Sequence, residues 1–174
     1  MRKWSRRKFN AKIIIAVGTI FCPLEVQRSS LKVGVGLSFA AMAMLYSVML
    51  VGVYISSSHQ GLTCPDWPLC PNGFGLPPDR HFYEHYHRVL VVITAGLIYA
   101  TAAYAFRKGT PAKKAALIAA IVMSVQIAFG FLVVNTALHP IIVATHLSTG
   151  ILLFAMTLMT FLSSYRHARK ATTL

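Results

Sequence analysis

The sequence predicts an all-α integral membrane protein, built as a four-helix bundle. Of its 174 residues, 56% are hydrophobic and 12% are charged, whereas about a quarter of the residues are charged in a typical soluble domain. Four long apolar runs lie at about residues 33–55, 87–106, 115–134 and 141–162. About 20 helical residues cross a hydrocarbon core of roughly 30 Å, so each run is long enough to span a membrane. This composition excludes a disordered chain and argues against a soluble nucleic-acid-binding protein.

The formal net charge of +13 is unevenly distributed along the chain. Fifteen of the 17 Lys and Arg residues lie before the first span, between the second and third spans, or after the fourth. Because the number of spans is even, these three groups share one side of the membrane. Of the two exceptions, Arg80 lies in the long connection between the first two spans, and Arg88 lies where that connection meets the second span. The positive-inside rule therefore predicts cytoplasmic N- and C-termini in a multi-pass protein of the cell membrane.

Basic segments flank the bundle, with residues 1–32 before it and a cytoplasmic tail, 166–174, after it. We interpret the first as an interfacial segment on anionic lipid headgroups, because its apolar run, 13–24, is too short to span a membrane. That run resembles the apolar region of a signal peptide, but no cleavage site follows it. A start codon assigned too far upstream is an alternative explanation. Cys22, within this segment, is expected to be inert.

The connection from Ser56 to Tyr86 is rich in Pro, Gly and aromatic residues, and a long loop of this kind between helices is often functional. On an oxidising outer face, Cys64 and Cys70 could form a disulfide that closes a small loop. Two free thiols are the alternative. A zinc site is disfavoured, because the spacing is not C-x2-C and no second ligand pair follows. Trp67 lies between two prolines inside this loop, which suggests a specific packing role.

Two of the seven histidines lie at membrane depth and at matching positions. His146 is inside the fourth span, where ionisable residues usually face the bundle interior and mark a site. Twenty residues separate it from Arg166, and 20 also separate His87 from Arg107. Both spans run in the same direction, so the two imidazoles are predicted at nearly equal height. Such a pair can ligate a haem iron from opposite faces, and a hydrogen-bonded structural role is the alternative for His146. The other histidines are interpreted as loop, helix-end or tail residues: His59, His81, His85, His139 and His167.

Polar residues near these histidines extend the candidate site. Glu84, His87 and Arg88 share one helical face, because they are three and four residues apart. The Glu84 carboxylate could shuttle protons, orient a ligand or stabilise a cationic intermediate, and a simple ion pair with Arg88 is the alternative. Arg88 is also suited to pair with a haem propionate. Gln126 and Asn135, in the third span, need partners in a dry interior, either a ring substituent or a neighbouring helix.

Three segments occur in order along the chain: CPDWPLC, EHYHR and LHPIIVATHL. Together they resemble the haem A synthase family of membrane oxidoreductases, from about Val33 to Tyr165. The cysteine–tryptophan segment is the most specific part of the resemblance. The resemblance implies oxidation of the C8 methyl group of haem O to a formyl group by successive hydroxylations.

The same resemblance implies roles for individual residues. It makes His87 and His146 axial ligands of a haem iron, with haem b as the cofactor. It links Glu84 to catalysis, through support of charge at the reacting carbon or through proton transfer. It links Cys64 and Cys70 to a disulfide with a structural or redox role. The oxidative chemistry itself would belong to the haem.

Family members usually carry two four-helix bundles, one for a haem b cofactor and one for the haem substrate, whereas this sequence predicts one. We therefore expect a homo-oligomer in which identical bundles take the two roles, with a haem O synthase as a further partner. Two alternatives each hold one bis-histidine haem. One is a non-enzymatic b-type cytochrome passing electrons from a quinol to a respiratory partner, and the other is an oxidase-assembly subunit. Glu84 and the loop cysteines favour the enzyme, because a plain electron carrier needs neither.

Overall fold

The computed structural model of the chain describes the backbone of residues 3–64, 67, 70, 75 and 81–172, and the side chains of these from residue 29 onward. Its helices are α1 (Lys3–Ser57), α2 (Phe82–Arg107), α3 (Lys113–Asn135) and α4 (Pro140–Thr172). Each contains a segment long and apolar enough to cross a membrane. The predicted four-helix, multi-pass membrane fold is therefore confirmed.

The helices form a closed ring in which each packs against two others. The α1 helix contacts α2 and α4, and α3 contacts the same two helices. The α2 and α4 helices therefore lie diagonally across the bundle, and both run in the same direction. Small and apolar side chains fill the centre: Ala41, Leu45, Ala95, Ile98, Ala119, Met123 and Leu153. Alanines at this level let the helix backbones approach closely, as small residues do in membrane bundles.

Polar groups in the middle of the bundle are satisfied within their own helices. Thr94 donates to the Leu90 carbonyl and Thr157 to the Leu153 carbonyl, each one turn earlier in the helix. A hydroxyl bonded in this way needs no partner on a neighbouring helix, so it can lie in a dry interior at low cost. Packing therefore makes most of the contacts between helices at this level, together with one contact of 2.9 Å between the Tyr99 hydroxyl of α2 and the Ser124 hydroxyl of α3.

Two turns between helices have the residue types that their backbone conformation favours, and a third position does not. Gly109 has a positive φ of 61° in the turn after α2, and Pro140 is the first residue of α4. Both positions suit these residue types. In contrast, Ala137 and Leu138 have positive φ values of 49° and 62° without any glycine nearby. Contacts made by this turn, rather than its own residues, therefore hold its conformation.

The basic N-terminal segment is helical from Lys3 and continues into the first span without a break. The predicted boundary at residue 32 is therefore not a break in the backbone. The interfacial position of this segment and the cytoplasmic location of both termini stay predictions. The side chain of Cys22 and all of Arg80 lie outside the described residues.

Candidate functional site

The two ends of the bundle carry different chemistry, and the candidate site lies at one of them. At one end of the bundle, α1 and α3 end and α2 and α4 begin. We call it the histidine end, because His87 and His146 lie there. The basic end is the opposite one, with the α2–α3 connection and the end of α4. The predicted site residues Cys64, Glu84 and Arg88 also lie at the histidine end.

His87 is positioned between α2 and α1. It is the sixth residue of α2, and its ring faces Gly52 on α1. A Cβ atom at Gly52 would lie 3.1 Å from the His87 Cε1 atom, which is closer than nearly all real Cβ contacts. The ring also interacts with the backbone of Val48, one turn before Gly52. The absence of a side chain at Gly52 thus creates the space that the imidazole fills.

His146 has a similar arrangement between α4 and α3. It is the seventh residue of α4, and a Cβ atom at Gly130 on α3 would lie 3.7 Å from its Cε1 atom. Gln126, one turn before Gly130, donates from Nε2 to the His146 carbonyl at 3.0 Å and lies 3.4 Å from the ring Nε2. A Cβ atom at Gly150 would lie 3.2 Å from this amide nitrogen, so a glycine makes room for it. Of the two partners considered for Gln126, the structure supplies the neighbouring helix.

The two imidazoles lie near the starts of the diagonal helices α2 and α4. Each has a buried Nδ1 atom for which the described structure offers no hydrogen-bond partner. A buried polar atom without a partner costs free energy, and a bound ion or ligand can remove that cost. Iron ligation would satisfy one nitrogen on each ring, so these residues fit an axially ligated haem. Within the described residues, no cluster of three or more His, Cys, Asp or Glu side chains could hold a bare metal ion.

Glu84 lies at the centre of a polar network beside this pair. Its side chain is buried, and its Oε1 atom accepts a hydrogen bond from Arg88 at 2.5 Å. Its Oε2 atom accepts from the Thr63 hydroxyl and from the Cys64 backbone N–H, both at 2.9 Å. Arg88 also donates to the Cys64 carbonyl at 3.3 Å. The ion pair considered from the sequence is present, and it ties the start of the cysteine loop to α2.

The cysteine loop, residues 64–70, is described at Cys64, Trp67 and Cys70, which make contacts at the histidine end of the bundle. In the structure the sulfur atoms of Cys64 and Cys70 are joined, with Cα atoms 5.1 Å apart, and both side chains are buried. Trp67, between them, packs edge-on against Phe131 of α3 with ring centroids 5.2 Å apart. Gly61, just before the loop, would bring a Cβ atom within 3.2 Å of Leu138 in the α3–α4 turn. The loop that begins at α1 therefore reaches the opposite helix pair.

Some site residues could not be identified from the sequence. Thr63 joins the Glu84 network through a fold-back of the loop, for which no local sequence signal exists. His85 is buried, as is His81 four residues before it, whereas the sequence predicts both as residues of the loop or its edge. Their spacing of one helical turn is the signal that points to a shared buried face. Asn135 bonds the Phe131 carbonyl of its own helix instead of crossing the bundle.

Comparison with known proteins supports the resemblance seen in the sequence. A family model described as "Cytochrome oxidase assembly protein" (COX15-CtaA) matches residues 78–174, more than half of the chain. A protein named "Heme A synthase", from Shewanella oneidensis, is 27% identical over 134 residues, which is 66% of this chain and 41% of that relative. The chain thus spans less than half the length of the curated relative it matches. On the family match, this protein belongs to the COX15-CtaA family of cytochrome oxidase assembly proteins.

Proposed function

We propose that this protein binds haem b through His87 and His146 and acts in haem A formation, oxidising the C8 methyl group of haem O to a formyl group. The observation that carries the proposal is the pair of imidazoles at the histidine end, on diagonal helices, each beside a glycine and each with a buried Nδ1 atom for which the described structure offers no partner. The named relative is a heme A synthase, which supports the choice of reaction. When bound, the haem supplies the oxidative chemistry.

The protein's own residues would bind, orient and shield the haem. Gly52 and Gly130 leave the two imidazole rings room between the helices. Gln126 bonds the backbone of α4 at His146, which fixes the height of that ligand relative to α3. Long apolar helices surround the site and exclude water, which strengthens electrostatic interactions within it.

Glu84 would support catalysis from the mouth of the site. Three donors orient its carboxylate: the Arg88 guanidinium, the Thr63 hydroxyl and the Cys64 N–H. The disulfide between Cys64 and Cys70 would keep this loop segment short and closed over the histidine end. A pairing of Arg88 with a haem propionate would require it to share its guanidinium between the propionate and Glu84.

A homo-oligomer would supply the second haem site. The described part of the chain forms one four-helix bundle, with His87 and His146 near the starts of its two diagonal helices. Two copies together would provide one bundle for the haem b cofactor and one for haem O, delivered by a haem O synthase. Light scattering of the purified protein is expected to give a mass above that of one 19.1 kDa chain.

A second candidate function is favoured by the extent of the Glu84 network. Both carboxylate oxygens are already engaged by protein donors. A carboxylate used in this way can serve purely to hold a loop, as it would in a non-enzymatic b-type cytochrome or an oxidase-assembly subunit with one bis-histidine haem. Both candidates need the histidine pair, but only the enzyme needs turnover.

The deciding experiment is expression of the full chain with a supply of haem O, followed by analysis of extracted pigments. We expect a hydroxylated or formylated haem in addition to haem b, together with a low-spin Soret spectrum in the purified protein. A haem-bound oligomer that yields neither product would contradict the enzyme and leave the cytochrome or assembly role. A purified protein without any low-spin haem would contradict both. His139 is exposed, so the variant His139→Ala is the matched control and should behave as the unaltered protein.

A further inference from the structure

A cavity of about 380 Å³ opens at the basic end of the bundle, which the haem proposal does not use. It lies between the start of the first span, the α2–α3 connection and the end of α4. Tyr104, in its wall, follows His87 by 17 residues of α2, or about 25 Å along the helix axis. The volume is within the range of small-molecule sites. Its main polar lining residues are Ser30, Tyr104, Lys108, Thr110, Ser164 and His167.

The wall between α1 and α2 is fixed by specific contacts. The Tyr104 hydroxyl donates to the Ser30 carbonyl and lies 2.7 Å from the Ser30 hydroxyl. A Cβ atom at Gly34 would lie 3.1 Å from the Tyr104 ring, so the glycine allows this close approach. The cavity is therefore bounded by an anchored aromatic side chain and not by loosely packed surface residues.

The charge of the lining is positive. Lys108 carries this charge, the His167 ring lies in the same lining, and the lining, as the structure describes it, includes no carboxylate. Backbone N–H groups of the turn already bond three of the last carbonyls of α2: Lys108 bonds Tyr104, Gly109 bonds Phe106 and Thr110 bonds Ala105. The Lys108 ammonium group belongs to the lining and can meet an external anion, and the Ser164 hydroxyl is a neutral donor beside it, whereas the Ser30 hydroxyl is already bonded to Tyr104.

The surroundings of the cavity match one class of ligand. Fifteen of the 17 basic residues of the chain belong to the segments at this end, so anions are concentrated around it. Leu31, Gly34 and Ala105 give the cavity an apolar side, and large apolar side chains such as Phe106 and Tyr165 are exposed close by in the sequence. Basic pockets between membrane helices are typical binding sites for anionic lipid headgroups.

We propose that this cavity binds a phosphate group, carried by an anionic phospholipid or free in solution, with Lys108 as its charged partner and the His167 ring as a further hydrogen-bonding group. An apolar wall beside a cationic mouth favours the lipid, because the glycerol and the first methylenes of its chains can lie against Leu31 and Ala105. Bound there, the lipid would bridge α1, α2 and α4 at the end of the bundle opposite to the histidines.

The test uses the full chain in mild detergent, with melting temperature followed as phosphatidylglycerol, phosphatidylcholine or inorganic phosphate is added. We expect a saturable rise with phosphatidylglycerol and none with phosphatidylcholine. Lys108→Ala should raise the half-saturating lipid concentration about fivefold, since one basic residue near such a headgroup is worth about that factor. Lys114→Ala removes the same charge at the same end outside the cavity lining and should leave the concentration within about twofold.

A second variant separates the cavity from general charge attraction. Ser164→Leu fills the cavity without changing net charge and should abolish the saturable response. Equal responses of Lys108→Ala and Lys114→Ala, or an unchanged response of Ser164→Leu, would overturn the proposal. A saturable rise with inorganic phosphate that equals the lipid response would identify free phosphate as the ligand of the same site. If Ser164→Leu does not fold, the comparison between the two lysine variants still decides.

Discussion

The helix pairs α1–α2 and α3–α4 build the candidate haem site in similar ways, but they surround their histidines differently. In each pair, a glycine five residues before the end of the first helix faces a histidine near the start of the second. Gly52 faces His87 in one pair, and Gly130 faces His146 in the other. Both pairs thus share an imidazole ring at a fixed depth with room beside it. These are the features expected of a histidine that ligates a haem iron.

The difference lies in what surrounds each ring. Beside His87 is the network of Glu84 and Arg88 that holds the cysteine loop. Beside His146 is one amide, Gln126, and no carboxylate is bonded to it in the described structure. The comparison teaches that the arrangement of a histidine beside a glycine is built twice, whereas the polar network is built once. On the proposed function, we therefore expect the first pair to carry the residues that affect turnover and the second mainly to supply a haem ligand.

The largest effect is expected from removing either histidine, which is the feature that both helix pairs share. His87→Ala and His146→Ala should each lose low-spin haem, because each removes one of the two imidazoles. Absorption spectra and haem quantification of the purified protein measure this. His139→Ala, at an exposed position at the same end of the bundle, is the control and should keep its haem. Full haem content in both His87→Ala and His146→Ala would refute the assignment of these two histidines as haem ligands.

Glu84→Ala tests the polar network, which is present beside His87 and not beside His146. It removes the partner of Arg88 and the acceptor for Cys64, so we expect a loss of about 3 kcal/mol in the free energy of unfolding, as for other broken buried ion pairs. Haem should be retained and turnover lost. Thr63→Val removes a single hydrogen bond to the same carboxylate and should cost about 1 kcal/mol. Unchanged turnover in Glu84→Ala would assign the whole network to loop anchoring.

The two glycines should respond differently to the same substitution. A methyl group at Gly52 would lie 3.1 Å from the His87 ring, whereas one at Gly130 would make an ordinary contact of 3.7 Å with His146. We therefore expect Gly52→Ala to cost about 1–2 kcal/mol and to shift the haem spectrum, as overpacked sites do. Gly130→Ala should be neutral or slightly stabilising, because alanine favours the helix by about 0.5–1 kcal/mol.

Denaturation of the two glycine variants in detergent, with haem spectra recorded alongside, gives the comparison. Gly96→Ala is the control, since a Cβ atom there would meet nothing within 4 Å. Equal destabilisation by Gly52→Ala and Gly130→Ala would mean that the two ligands have equal room.

The smallest effect is expected at Gln126. Gln126→Leu removes its bond to the His146 carbonyl, but that carbonyl belongs to a continuous helix, and the Gln126 Oε1 atom is itself buried without a partner. Interhelical hydrogen bonds in membranes average about 0.6 kcal/mol, so the loss should be near that value. Haem should be retained, with a small change in its electron paramagnetic resonance spectrum as the His146 ring reorients. Haem loss as complete as in His146→Ala would make Gln126 indispensable for ligand geometry.

How far the site could be predicted from sequence depended on whether its residues lie on helices or in loops. The matching distances of His87 and His146 from the ends of their spans follow directly from helical rise. The Glu84–Arg88 pair follows from their spacing of four residues. The bonds from Thr63 and Cys64 to Glu84 join positions 21 and 20 residues apart through an irregular loop, and no periodicity predicts them.

By itself, the sequence determined the four apolar spans, their alternating direction and the depth of the two imidazoles, because these depend on residue count and hydrophobicity along each helix. The tertiary structure decided which helices are diagonal, which glycines face the histidines and where the cysteine loop lies. It also decided that the basic residues Lys108 and His167 share one cavity. These features depend on how helices rotate and pack against one another, and that rotation is set by contacts between segments distant in the chain.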